Sequence, residues 1–158
     1  MPQTANDVDA LRYGVTLACR SVLIVVTCVS AFCRPAIAFE PSVNYMLQCM
    51  GCHTADGSGE PGRVPSIRKT LTPFSALAEG RRFLVQVPGA AQCALSDAEL
   101  AELLNWMIQN LSAGARPERF TRFTAAEVAR YRRTPLVQVR ATRERLLIRA
   151  KSATRLLP

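Results

Sequence analysis

The chain has 158 residues, of which 49% are hydrophobic and 20% charged, with a formal net charge of +8. This length suits one ordinary domain plus extensions, and this composition excludes general disorder. The charge is unevenly placed: residues 39–115 carry a net −2 and residues 116–158 a net +9.

The first element in chain order is an apolar run, Ser21 to Phe32 (SVLIVVTCVSAF), preceded by Arg12 and Arg20. Ala36-Ile37-Ala38 follows with the small-x-small pattern of a signal-peptidase site. Residues 1–38 are therefore predicted to be a signal peptide, with the mature chain starting at Phe39. The run is short and interrupted for a membrane span. An uncleaved anchor is the alternative, because the leader before the run is long and carries Asp7 and Asp9. Phe32 before Cys33 does not suit a lipoprotein site.

Pro41-Ser42 opens a predicted helix capped by Ser42, with Val43, Tyr45, Met46 and Leu47 as its apolar residues. It runs into Cys49-Met50-Gly51-Cys52-His53. This is C-x-x-C-H, the form of a c-type haem attachment site. Two thiols at this spacing can both reach haem vinyl groups, and the adjacent imidazole can bind the iron. His53 is the single His in the chain. A zinc site needs four ligands, and only Cys93 remains in the mature part. A thioredoxin-like pair needs a preceding strand and a βαβ context. A plain disulfide leaves His53 without a reason. Cys19, Cys28 and Cys33 leave with the signal, so Cys93 stays as one odd thiol.

A loop with Gly57, Gly59, Pro61 and Gly62 is expected from Thr54 to Pro65. Thr70 to Arg82 is expected to hold one short helix, capped by Thr72 with Pro73 at its first position. Phe83 to Val87 is a brief apolar run ended by Pro88-Gly89. Ser96 and Glu99 form a capping box. Leu100, Leu103, Leu104, Met107, Ile108 and Leu111 then recur at helical spacing, with Gly114 as a stop. A second capping box, Thr124 to Glu127, opens a shorter helix ended by Pro135, and a last helix is expected from Leu136 to about Lys151.

These features together resemble the class I c-type cytochromes over roughly residues 39–112. The resemblance implies an all-α fold: a haem domain at 39–115, followed by a basic helical extension at 116–158. It implies one covalently attached haem c, held by Cys49 and Cys52 with His53 on the iron. It also implies that Tyr45 and Trp106 meet where two helices cross. Electron-transfer members place a Met before a Pro in the lid over the other haem face. Here that place is Val87-Pro88, so the Met is missing. The candidate sixth ligands are Met107, Cys93 and Lys69, and the alternative is an open iron site. Met46 and Met50 lie on the wrong side.

No catalytic constellation is visible, so the chain reads as an electron carrier rather than an enzyme. The expected role is electron transfer in a bacterial periplasm, from a dehydrogenase, for example a quinoprotein, to the respiratory chain. The alternatives are a haem-based binder or sensor of NO or CO, or a cytochrome subunit of a larger dehydrogenase complex. The basic tail suggests a redox partner with an acidic surface, or contact with an anionic membrane surface. It also reads as a helical extension wrapping the haem domain, with Val139, Leu146, Leu147 and Ile148 as its apolar face. Nucleic acid is not expected, since no recognised binding motif appears.

Overall fold

A computed structural model describes residues 38–113 and 120–155. The predicted export segment and Gly114 lie outside the described residues. Helix α1 spans Pro41–Gln48 and α2 Met50–His53. They are followed by α3 (Leu71–Ser75), α4 (Ala78–Gln86), α5 (Pro88–Ala91) and α6 (Asp97–Leu111). α7 (Ala125–Arg132) and α8 (Val139–Arg155) complete the order. The described residues form an all-α fold whose one β feature is an isolated bridge between Glu60 and Val64. Among them, no helix is long and apolar enough to cross a membrane.

α6 is the centre of the core. All six residues of its predicted stripe are buried. The Ser96 hydroxyl accepts from the Glu99 amide while the Glu99 carboxylate accepts from the Ser96 amide, so two otherwise orphaned donors are satisfied at the helix start. α1 crosses α6 with the Tyr45 and Trp106 rings 5.7 Å apart.

Several local expectations need correction. α1 starts at Pro41 with Glu40 at its N-cap, so Ser42 lies inside the first turn and cannot cap it, and no side-chain cap forms. Met46 and Leu47 face solvent, and Asn44 is buried beside Tyr45 instead. The single helix expected over residues 70–82 is two helices, α3 and α4, broken at Ala76-Leu77. The Thr72 hydroxyl does not cap α3; it donates to Ser112 Oγ at 2.8 Å. In the Phe83–Val87 run, Phe83, Leu84 and Val85 are buried residues of α4 rather than a separate stretch, and Val87 ends that helix. Pro88 opens α5 instead of ending structure.

α3 and α4 meet at Gly80, where a Cβ would lie 2.2 Å from the Phe74 carbonyl oxygen. Only glycine permits that approach. It brings Phe74 and Phe83 into an edge-to-face pair with centroids 5.5 Å apart.

Residues 120–155 pack on the same body as residues 38–113. Phe123, Val128, Leu146 and Ala150 join the core cluster. The Asn105 side chain bonds both the amide and the carbonyl of Phe123, at 2.7 and 3.1 Å. Buried Arg81 forks onto Glu127 at 2.6 and 2.7 Å and donates to the Thr121 and Arg122 carbonyls. Of the predicted apolar face of α8, Leu146 is buried and Ile148 is exposed.

Candidate functional site

The C-x-x-C-H residues sit where α1 passes into α2. The amides of Cys52 and His53 both bond the Cys49 carbonyl, at 3.1 and 3.0 Å, which winds the motif into one tight turn. The chain leaves this turn through Thr54, at φ +60°, a strained value for a β-branched residue. The Tyr45 hydroxyl donates to the Thr54 carbonyl at 2.7 Å and holds that exit in place. Burial pushes the Tyr45 pKa up to about 12, which keeps the donating proton on. Gly59 then turns the loop back, its amide donating to the His53 carbonyl at 3.1 Å. Its φ is +71°, and a Cβ there would lie 2.4 Å from the Val64 carbonyl oxygen, so this return also requires glycine.

Cys49, Cys52 and His53 line one side of a cleft of about 330 Å³. Its walls are almost entirely apolar: Leu71 of α3, Leu84 of α4, and Leu100, Leu103 and Leu104 of α6. Both motif cysteines are free thiols. Burial first, then Cys93 and Cys52, pushes the Cys49 pKa up to about 11. A thiol so disposed is unlike the low-pKa thiolate of a redox pair. Burial also lowers the His53 pKa, against a smaller opposing effect of the Pro65 carbonyl. The neutral imidazole, the form that binds metal, is therefore favoured. Its Nδ1 is buried with no partner at full hydrogen-bond geometry, so the Pro65 carbonyl acts on the ring only from outside that geometry.

The segment from Val87 through α5 to Cys93 forms the lid, with Val87, Gly89, Ala90 and Cys93 on the cleft. Cys93 and Met107 both line the cleft; Lys69 does not, and its side chain is exposed. Cys93 Sγ donates to the Ala90 carbonyl at 3.2 Å. Met46 and Met50 lie outside the cleft lining.

The residue that holds this lid comes from the basic tail. Arg132, at the end of α7, donates to the carbonyls of Ala91 at 2.8 Å and Leu95 at 2.6 Å, and to that of Cys93. It also reaches Asp97 Oδ1 at 3.2 Å. One guanidinium thus satisfies carbonyls that the short helix α5 and the turn after it leave open. Sequence reasoning missed Arg132. A signal existed, because it lies four residues after buried Val128, on the same helical face.

The chain is 28% identical over 131 aligned positions to a cytochrome c-552 of Thermus thermophilus, covering 70% of this chain and 88% of that protein. A second Thermus thermophilus cytochrome c-552 is 29% identical over 119 positions, covering 63% and 91%. The chain is thus similar to c-type cytochromes at 28–29% identity. No family model matches it. C-type cytochromes carry covalently attached haem c, and the residues of this chain fit that group. Two free thiols and a neutral imidazole share one wall of a cleft that is otherwise apolar. No other His exists in the chain to compete.

Proposed function

We propose that this cytochrome carries one haem c, anchored through Cys49 and Cys52 with His53 as the proximal iron ligand, and works as a single-electron carrier. The observation that carries this reading is the convergence of all three motif residues on one apolar cleft. When bound, haem supplies a one-electron ferric/ferrous couple. The protein's part is to hold and shield it. Leu71, Leu84, Leu100 and Leu104 exclude water, which favours the less charged reduced form. No side chain acts as an acid or base.

The apolar run and Ala36-Ile37-Ala38 support export to the periplasm, either as a cleaved signal or as a retained anchor. There the carrier would take an electron from a dehydrogenase, for example a quinoprotein, and pass it to the respiratory chain. The +9 charge of residues 116–158 favours a donor or acceptor with an acidic surface. Contact with an anionic membrane surface is the competing use of that charge.

The covalent reading is tested by maturing the chain with a haem-ligation system and staining denaturing gels for haem. The Cys49→Ser/Cys52→Ser variant should carry no covalent haem, and each single variant should carry less than the parent. Haem retained by the double variant after denaturation would overturn the reading.

A second reading rests on the lid. From Thr54 to Leu95 the chain has no Met and no His, and the sulfurs facing the cleft beyond the motif are those of Cys93 and Met107. An iron left open there would bind NO or CO. Optical spectra separate the readings. A low-spin spectrum that Met107→Leu or Cys93→Ala abolishes means a sixth protein ligand. A high-spin spectrum that shifts with CO means a ligand-binding site.

A further inference from the structure

Helix α4 divides its faces between two cavities. Leu84 lines the haem cleft. Glu79, Arg82, Phe83 and Gln86 turn the other way and line a groove of about 380 Å³, closed on its far side by Arg145, Leu146 and Arg149 of α8. A second depression shares Arg82 and Gln86 and extends to Arg130 and Tyr131 of α7. The two form one trough with a cationic rim. The floor of the α4–α8 groove is apolar, since Phe83 and Leu146 are buried and Leu136 is half-buried, while the α7 depression is polar apart from the Tyr131 ring.

The rim charge is largely uncompensated. Four arginines face one carboxylate, Glu79, which Arg149 already binds at 2.5 Å. The Arg82 and Arg130 guanidinium carbons lie 5.6 and 4.8 Å from the centre of the Tyr131 ring. Among the described residues, neither meets a carboxylate within ion-pair distance, and Arg145 meets only the Thr142 hydroxyl. Packing these cations around a concavity raises the local potential and costs self-repulsion that an anionic occupant would relieve.

We propose that this trough anchors an acidic, extended segment of a partner protein. Its carboxylates would pair with Arg82, Arg130 and Arg145, which no carboxylate compensates among the described residues, and an apolar side chain would sit against Phe83 and Leu136. Arginine suits this role, because its planar fork binds carboxylates in pairs and stacks on aromatic rings such as Tyr131. A recessed trough with an apolar floor fits a chain segment better than a flat lipid surface. The trough lies on the face of α4 opposite Leu84, so its occupant would leave the haem cleft uncovered. It is therefore an assembly contact, distinct from the contact that passes electrons. The inference rests on the proposed function only in expecting a protein partner of the carrier.

The test is calorimetric titration of the full matured chain with a synthetic Glu-rich peptide bearing one central Leu, at low and moderate salt. Phosphatidylcholine vesicles containing phosphatidylglycerol are titrated in parallel. Arg82→Glu/Arg145→Glu should weaken peptide binding by about tenfold or more. Arg140→Glu/Lys151→Glu, exposed residues of α8 outside the trough, should change it less than about twofold. Equal losses from the two pairs would mean diffuse charge and would overturn the site. So would a loss of vesicle binding with peptide binding intact, which would assign the arginines to a membrane. If the reversal variant does not fold, Arg82→Gln/Arg145→Gln replaces it under the same criteria. A chain that binds peptide through these arginines yet holds no covalent haem would refute the electron-carrier reading and leave the trough standing.

Discussion

Arg132 has an unusual position for an arginine in a basic tail. Its side chain is only 17% exposed, and three carbonyls and a carboxylate share its donors. Each hydrogen bond to a charged group contributes roughly 1.5–3 kcal/mol, and their sum is less than additive because one side chain is ordered for all of them. Arg132→Ala should therefore cost about 2–4 kcal/mol in a denaturant melt. The site should respond as well. A loosened lid admits water and small ligands, so imidazole or CO should bind the haem faster in Arg132→Ala than in the parent. Arg130→Ala, two residues away on the exposed side and in contact with Tyr131 rather than the lid, should change both quantities far less. An Arg132→Ala protein with unaltered ligand-binding rates would show that the lid is held by its apolar contacts alone.

At the scale of elements, the joint between α4 and α7 is a buried ion pair. Arg81 and Glu127 are 11% and 14% exposed, and the Arg81 guanidinium carbon lies 3.9 Å from the centre of the Phe123 ring. Removing one partner of such a pair strands the other charge, at a cost of about 3–5 kcal/mol. Glu127→Ala should fall in that range by thermal or denaturant unfolding. Arg81→Met/Glu127→Leu should recover much of the loss, because two apolar groups of similar volume do not need each other's charge. If the double variant is as unstable as the single one, the hydrogen bonds from Arg81 to the Thr121 and Arg122 carbonyls are the larger contribution.

This joint also marks where sequence was informative and where it was not. The α6 box was legible because Ser96, Glu99 and the leucine stripe are local and periodic. Tyr45 and Trp106 were paired through the family resemblance, and they do meet. Thr124 was legible as a cap, and its hydroxyl does accept from the Glu127 amide. The Glu127 side chain does not complete that box, because Arg81, 46 residues away in sequence, takes it. Long-range pairing of this kind leaves no local pattern. The break at Ala76-Leu77 and the exposure of Met46, Leu47 and Ile148 have the same origin, since which face a short helix buries is decided by its neighbours. Cys49, Cys52 and His53 were legible as a motif of fixed spacing, and the structure brings all three to one cleft. The lid was legible only as a missing Met. The arginine that closes it was one of twelve basic residues after Ala115.

On the scale of the whole molecule, the basic segment is part of the body that encloses the cleft. Phe123, Val128 and Leu146 are each at most 2% exposed. Fully burying such side chains contributes about 1.5–3 kcal/mol apiece, which approaches the net stability of about 5–15 kcal/mol typical of a domain. The same segment supplies Arg132 to the lid and Glu127 to buried Arg81. Removing everything after Ser112 would uncover Leu100 to Leu111 on one side and leave the Arg81 guanidinium without its carboxylate. The truncated chain should accumulate poorly and melt well below the full chain. What haem it attaches should sit in a looser pocket, seen as mixed spin states in the ferric spectrum. A truncated chain with the parent's melting temperature and spectrum would make the tail a passenger, and its charge would then be free to serve partner binding alone. The inward placement of Arg132 argues the reverse: the tail first braces the lid of the cleft, and the arginines along the trough between α4 and α8 are left for a partner.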